Sequence, residues 1–176
     1  RDDLLASAQR DRGLPRPMMA VLLGYSKMRT FDLLLNTDLP DGAAARPFLD
    51  AYFPMRLRAG FANHFPEHPL RREIVATAAV NYVINNGGIS LLPRVAAATN
   101  ADIGTIIAAY LEADHQIGAP ALRGQILGNG LSAAAEHDAL LDLEDVLEAV
   151  MTELLAGRKN IDITNRLAAI HSHLRH

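Results

Sequence analysis

The spacing of apolar residues is helical along almost the whole of this chain. Apolar side chains recur every three or four residues, and alternating runs rich in Val, Ile and Thr, which would predict strands, do not occur. Ala and Leu, two strong helix formers, dominate the composition. The sequence therefore predicts an all-α fold, an irregular multi-helix bundle without a sheet.

Turn and capping residues divide the chain into predicted helices. These helices lie at about 2–11, 15–36, 47–52, 54–63, 69–86, 90–98, 101–116, 120–127, 131–156 and 162–174. Asn100 is predicted to cap the helix that follows it, with Asp102 in the first turn. The "GNG" at 128–130 is the predicted joint between a main bundle, 1–127, and C-terminal helices, 128–176, expected to pack on the same core.

The stretch "HPLRREIVATAAVNYVINNGG" predicts a buried central helix over about 69–86. It has almost no polar face beyond Glu73, and a helix that is apolar all round is usually buried. At about 100° per residue, Asn81 and Asn85 fall on one row with Leu70 and Ile74. We therefore expect both asparagines to be buried.

The buried amides have two interpretations. Buried polar groups usually form structural hydrogen bonds, so Asn81 and Asn85 are predicted to be structural; the alternative is a pair that contacts a ligand. The charged first turn of the same helix is a possible interdomain contact, formed by Arg71, Arg72 and Glu73.

Composition excludes several classes of function. The 176 residues suit one domain, and the absence of cysteine excludes disulfides and thiolate metal sites and fits a cytoplasmic protein. A net charge of −3 gives no field to hold nucleic acid or anionic lipid. The longest apolar run, "MMAVLL" at 18–23, is too short to span a membrane. We expect neither nucleic acid nor a membrane as a partner.

No motif predicts an active site. Glu112 and His115 form half of a di-iron motif, but no second Glu-x-x-His is present, so they predict a solvated polar face. The helix-turn-helix outline at 95–113 has an acidic second helix without Lys or Arg, which would repel DNA. No glycine-rich phosphate loop follows a strand. We predict no catalytic, cofactor-binding or metal-binding residue.

Three stretches resemble the C-terminal helical region of the large bacterial NAD-specific glutamate dehydrogenases. They are "GLPRPMMAVLLGYSKM" at 13–28, "YFPMRLRAGFANHFPEHPLRREIVATAAVNYVINNGGIS" at 52–90 and "ADIGTIIAAYLEADHQIGAPAL" at 101–122. The run from "HPLRREI" through "NNGGIS" is the most specific of them. The resemblance covers roughly residues 13–122.

The resemblance implies a function for a longer chain. That enzyme oxidatively deaminates L-glutamate to 2-oxoglutarate and ammonia with NAD, and its catalytic and dinucleotide-binding domains precede the helical region. The residues here would then be an inactive structural, interdomain or regulatory part that contacts the catalytic domains of its own chain, within an expected homo-oligomer. The alternative is a stand-alone helical module that binds other proteins and has no enzymatic activity.

Overall fold

The chain is folded into helices joined by short turns. A computed structural model describes residues 14–158, 163–164, 167–168 and 170. Over these residues it has eight α-helices and no strand, which confirms the predicted all-α class. The helices are α1 (Arg16–Leu35), α2 (Arg46–Tyr52), α3 (Met55–Phe61), α4 (Arg71–Gly87), α5 (Leu91–Thr99), α6 (Ile103–Ile117), α7 (Ala119–Gly128) and α8 (Ala133–Leu155). The predicted helix at 2–11 and most of that at 162–174 lie outside the described residues.

Three short 3₁₀ helices complete the connections between the α-helices. They span Leu39–Asp41, Ala43–Ala45 and Ala62–Glu67. The first two lie within the loop predicted between α1 and α2. The third continues from α3 through the "HFPE" segment, where Pro66 prevents a regular α-helix.

The predicted cap of α6 is wrong by two residues. Asp102, not Asn100, is the N-cap, because its backbone is extended and its Oδ1 accepts a hydrogen bond from the Thr105 N–H at 3.0 Å. Asn100 instead ends α5 in the left-handed conformation, with φ of 55°. Asparagine tolerates this conformation better than most residues. The polar turn therefore ends α5 at Asn100 and begins α6 at Asp102.

The core lies between α4, α6 and α8, with α5 and α7 closing its sides. Tyr110, Ile106 and Ile107 of α6 are fully buried at its centre, against Leu143 and Leu147 of α8. The buried apolar side chains of α8 belong to the same cluster as Val80, Val83 and Ile84 of α4, whereas Ile74 and Val75 of α4 belong to a second cluster with Leu49 and Phe65. The division of the chain at 128–130 stays a prediction.

The central helix is buried on one side only. The buried side of α4 carries its largest aliphatic residues, among them Val75, Val80, Val83 and Ile84. The opposite side carries Thr77, which is exposed. Burial of α4 on all sides was therefore a wrong prediction, because a lack of charged residues does not require cover on every side.

A tight contact joins the start of α6 to the end of α1. Gly104 is buried, and a Cβ added there would lie 2.6 Å from Oγ1 and 2.8 Å from Cβ of Thr37. The Thr37 hydroxyl already donates to the Leu34 carbonyl oxygen at 2.8 Å, so this side chain cannot move aside without losing a bond. Only glycine allows the two segments to approach so closely.

We expect Gly104→Ala to lower the free energy of unfolding by about 1–3 kcal/mol, because the added methyl group overpacks against Thr37. The matched control is Gly124→Ala in α7, where nothing lies within 4 Å of the added Cβ. Alanine there should raise stability by about 0.5–1 kcal/mol through helix propensity. Urea denaturation of the two variants checks both signs, and equal effects would contradict the tight contact.

Candidate functional site

A largely buried arginine side chain joins three helices. Arg123 of α7 donates through Nη1 to Oδ1 of Asp114 in α6 and through Nη2 to Oε1 of Glu144 in α8, each at 2.8 Å. The side chains of Arg123 and Asp114 are only 12% and 8% exposed, and that of Glu144 is 21% exposed. Charge-assisted bonds at this depth are strong and directional, so they fix the relative positions of α6, α7 and α8.

Two tyrosines complete this buried network. The Tyr82 hydroxyl of α4 donates to Oδ2 of Asp114 at 2.7 Å, and the fully buried Tyr110 hydroxyl donates to Oε2 of Glu144 at 3.1 Å. Arg123 also donates to both phenolic oxygens, at 3.3 Å to Tyr82 and 3.0 Å to Tyr110. Among the described residues, no buried side-chain nitrogen or oxygen lacks a partner. The network therefore ties α4 to the other three helices.

Burial changes the protonation chemistry of the network. Burial, aided by the hydrogen bond to Asp114, raises the pKa of Tyr82 to about 12. Burial also raises the pKa of Tyr110, and the nearby charge of Glu144 adds to that effect. Burial raises the pKa of Glu144 as well, although the bond from Arg123 opposes the change. Both tyrosines are therefore neutral hydrogen-bond donors near neutral pH.

Burial alone would lower the pKa of Arg123, but the carboxylates of Glu144 and Asp114 outweigh it and raise that pKa. The guanidinium thus stays charged. One cation faces two carboxylates, and each tyrosine hydroxyl donates to one of them. This arrangement stabilises the packing of the four helices, and the guanidinium and both tyrosine hydroxyls keep their protons at neutral pH.

A cavity of about 650 Å³ opens beside the network. Its walls are mainly apolar, with Phe48 and Pro120 among them, and its polar lining residues are Tyr82, Asp114, Glu112 and His115. The Phe48 and Tyr82 rings meet edge to face, with centroids 5.7 Å apart. The polar atoms of Tyr82 and Asp114 are already engaged with each other and with Arg123, so the cavity presents mainly apolar walls.

The other predicted motifs remain on the surface. Glu112 and His115 are exposed, in agreement with a solvated face, and Glu112 accepts a hydrogen bond from Gln116. No group of His, Asp and Glu in the described part of the chain could hold a metal ion. No helix in that part is both long and apolar enough to cross a bilayer.

The predicted burial is wrong for Asn85 and holds only in part for Asn81. Asn81 is half-buried and Asn85 is exposed. Their row also contains Leu70, which is 55% exposed. This row lies roughly opposite the centre of the buried face of α4. Asn85 Oδ1 accepts a hydrogen bond from Lys27 Nζ at 2.7 Å, which links α4 to α1. A structural role for the pair, without a part in catalysis, stays a prediction.

The charged first turn of α4 is largely engaged within the chain. Arg71 and Arg72 both pair with the carboxylate of Asp41. Arg72 also donates to the carbonyl oxygens of Leu35 at 2.8 Å and Thr37 at 3.0 Å, which stabilises the C-terminal end of α1. Glu73 is exposed. The assignment of Arg71, Arg72 and Glu73 to an interdomain contact stays a prediction.

Helix α1 presents a large apolar surface to solvent. In the whole of α1 only Thr30 and Leu34 are buried, and both lie near its C-terminal end. The exposed large apolar side chains include Met19, Val21 and Tyr25, at 55%, 56% and 61%. Single apolar side chains on a surface are common, but several of them exposed along one helix favour a site of interaction.

The sequence did not predict the buried network. Asp114 lies in the acidic helix predicted at 101–116, and Glu144 lies in the acidic run at 138–149, a pattern that predicts a solvated helix face. That expectation holds for Asp138 and Asp145, which are exposed, but it is wrong for Glu144. The sequence gives only a weak indication of this burial, because Glu144 is next to Leu143, a core residue. A carboxylate next to a core residue can turn inward when a cation pairs with it.

Comparison with known proteins identifies relatives along nearly the whole chain. Residues 11–176 match a family described as glutamate dehydrogenase, C-terminal, so the match extends past the 13–122 region recognised from sequence. The chain is 31% identical over 148 residues to the NAD-specific glutamate dehydrogenase of Halomonas elongata. It is 29% identical over 146 residues to that of Mycobacterium tuberculosis. Each alignment covers 83% of this chain but 9% of the relative.

A third relative shows the same proportion. The chain is 29% identical over 110 residues to the NAD-specific glutamate dehydrogenase of Pseudomonas aeruginosa, which covers 62% of this chain and 7% of that protein. The chain thus spans less than a tenth of the length of these curated relatives.

We expect Arg123→Met to lower the free energy of unfolding by about 3–5 kcal/mol, because it leaves two carboxylates buried without their cation. The control is Arg94→Met, which removes the partner of Glu148 at the surface, where the arginine side chain is 58% exposed. That change should cost about 0–1 kcal/mol. Chemical denaturation measures both values, and a small loss at Arg123 would mean that water reaches the network.

We expect stability to depend on the protonation of Glu144. Because burial raises its pKa, the folded chain holds this proton more tightly than the unfolded chain does. The stabilisation is therefore full below the unfolded value of about 4.5 and is lost as the pH rises through the folded pKa. Relative to Glu144→Gln, the wild type should lose stability as the pH rises above about 4.5. Denaturation of the wild type and of Glu144→Gln at several pH values tests this, and parallel pH profiles of the two proteins would contradict it.

Proposed function

Because this chain belongs to the family described as glutamate dehydrogenase, C-terminal, we propose that it is the C-terminal helical part of an NAD-specific glutamate dehydrogenase. The complete enzyme would oxidise L-glutamate to 2-oxoglutarate and ammonia in the cytoplasm, with NAD as the hydride acceptor. The single observation that carries the proposal is the family match over residues 11–176.

The reaction itself belongs to other domains of that enzyme. A dinucleotide is typically bound where a glycine-rich turn joins a strand to the N-terminus of a helix. The described residues form helices and contain no strand, so they do not provide a site of this kind for NAD. We assign no step of hydride transfer to this chain.

The role that the geometry favours is structural. The Arg123 network makes α4, α6, α7 and α8 one rigid unit, since each helix contributes at least one bonded side chain. A rigid unit with an uncovered apolar helix is suited to pack against neighbouring domains of the same polypeptide and to support assembly into a homo-oligomer. Glu73, with the parts of Arg71 and Arg72 that remain accessible, would lie at the edge of such a contact.

We expect the isolated chain neither to bind NAD appreciably nor to oxidise glutamate, because its described residues contain no strand to carry a phosphate loop. Calorimetric titration of NAD into residues 1–176 measures the first and a coupled NADH assay measures the second. The full-length protein encoded by the gene, assayed in parallel, is the control and should be active. Saturable binding to the isolated chain, or an inactive full-length protein, would contradict the proposal.

A further inference from the structure

The core-facing row of α1 continues beyond the edge of the core. At about 100° per residue, Met19 and Leu23 lie on the same side of the helix as Thr30 and Leu34. The last two are buried, whereas Met19 is 55% and Leu23 37% exposed. The same row is thus covered at its C-terminal end and uncovered along its first half. Additional elements, continuous with this core, would be needed to cover it.

The opposite side of α1 is also apolar. Val21, Tyr25 and Met28 point roughly away from the core-facing row, and their exposed fractions are 56%, 61% and 64%. A helix that is apolar on opposite sides is normally enclosed within a larger fold. A short helix without tertiary contacts is only marginally stable in water, so this part of α1 gains its stability from whatever covers it.

Two grooves flank α1 where it meets the rest of the fold. The groove between α1 and α4 has a volume of about 400 Å³ and is lined by Met28, Phe31 and Val80. The groove between α1 and α5 has a volume of about 630 Å³ and is lined by apolar residues including Leu33 and Leu92. Grooves of this kind accept the apolar side chains of an incoming helix.

The exposed surface of α1 is also basic. The helix carries Arg16, Lys27 and Arg29 against a single acid, Asp32. Within the described residues no carboxylate pairs with any of these three cations, and Lys27 bonds only to the neutral amide of Asn85. The occupant of this surface should therefore combine apolar side chains with carboxylates at its rim.

We propose that residues 16–29 of α1 are enclosed, on both apolar sides, by the remaining part of the same glutamate dehydrogenase polypeptide, which presents apolar side chains to the two grooves and carboxylates to Arg16 and Arg29. This inference rests on the proposed function. The relatives contain ample chain for such cover, since the aligned region is 9% of their length.

Two other occupants fit the surface less well. A second copy related by a twofold axis would pair one patch of α1 with itself and would cover one side of the helix. A membrane surface suits a helix with one apolar and one polar side, whereas α1 is apolar on opposite sides. Enclosure by several elements of one polypeptide covers both sides at once.

Hydrogen exchange measured by mass spectrometry tests the proposal. The amides of residues 19–29 should exchange at least about tenfold more slowly in the full-length enzyme than in the isolated chain, because enclosure suppresses local opening. The amides of α6, which are buried in both proteins, serve as the internal reference. Equal exchange of α1 in the two proteins would overturn the inference. Protection in the isolated chain that grows with its concentration would also overturn it, in favour of a second copy.

Variants of the full-length enzyme sharpen the test. Met19→Gln changes one side of α1 and Tyr25→Gln the other, and each should restore about tenfold faster exchange over residues 19–29. The controls are Leu127→Gln and Leu141→Gln, which alter exposed apolar residues of α7 and α8 and should leave α1 unchanged. If only one α1 variant has an effect, enclosure on both sides is wrong.

The activity of the wild-type enzyme separates the two proposals. A full-length protein that does not oxidise glutamate with NAD contradicts the proposed function, whatever the exchange of α1. An active enzyme in which α1 exchanges as fast as in the isolated chain contradicts the enclosure of α1 alone.

Discussion

The packing of this protein depends on one buried cation. Arg123 holds two carboxylates, from Asp114 and Glu144, at 2.8 Å each, and two tyrosine hydroxyls bond to the same groups. Removing a charged group from water is costly unless every bond it loses is replaced. Here four hydrogen bonds from Arg123 replace bonds to water, and an arrangement with α6, α7 and α8 shifted by one turn would leave these charges without partners. The network therefore stabilises one packing of the helices over its alternatives.

The network also fixes the C-terminal half of α4. Tyr82 points from α4 to Asp114, and the aliphatic residues of α4 form the neighbouring part of the core. On the other side of the helix, Asn85 reaches Lys27 of α1. The helix thus lies between the hydrogen-bonded network on one side and a partly open side. The half-buried position of Asn81 follows from its place at the edge of the groove between α1 and α4.

The uncovered part of α1 makes one side of the fold apolar and exposed. The interior around Tyr110 is closed and its polar groups are bonded, whereas α1 extends away from it with apolar residues on opposite sides. A chain whose relatives are far longer can leave such a surface to be covered by other domains. The catalytic chemistry of those relatives requires a dinucleotide site. The helices described here are suited instead to pack against other domains.

The sequence by itself determined the fold class and most helix boundaries, because periodicity, proline and glycine act locally. Pro17 in the first turn of α1, and Gly118 at the end of α6 with φ of 65°, are examples that needed no tertiary information. The tertiary structure alone decided which side of α4 is buried and which charges turn inward. Nothing local in the sequence shows that Asn81 is only half-buried or that Asp114 is buried. Burial depends on partners distant in sequence, and Asp114 is buried only because Arg123 and Tyr82 reach it from two other helices.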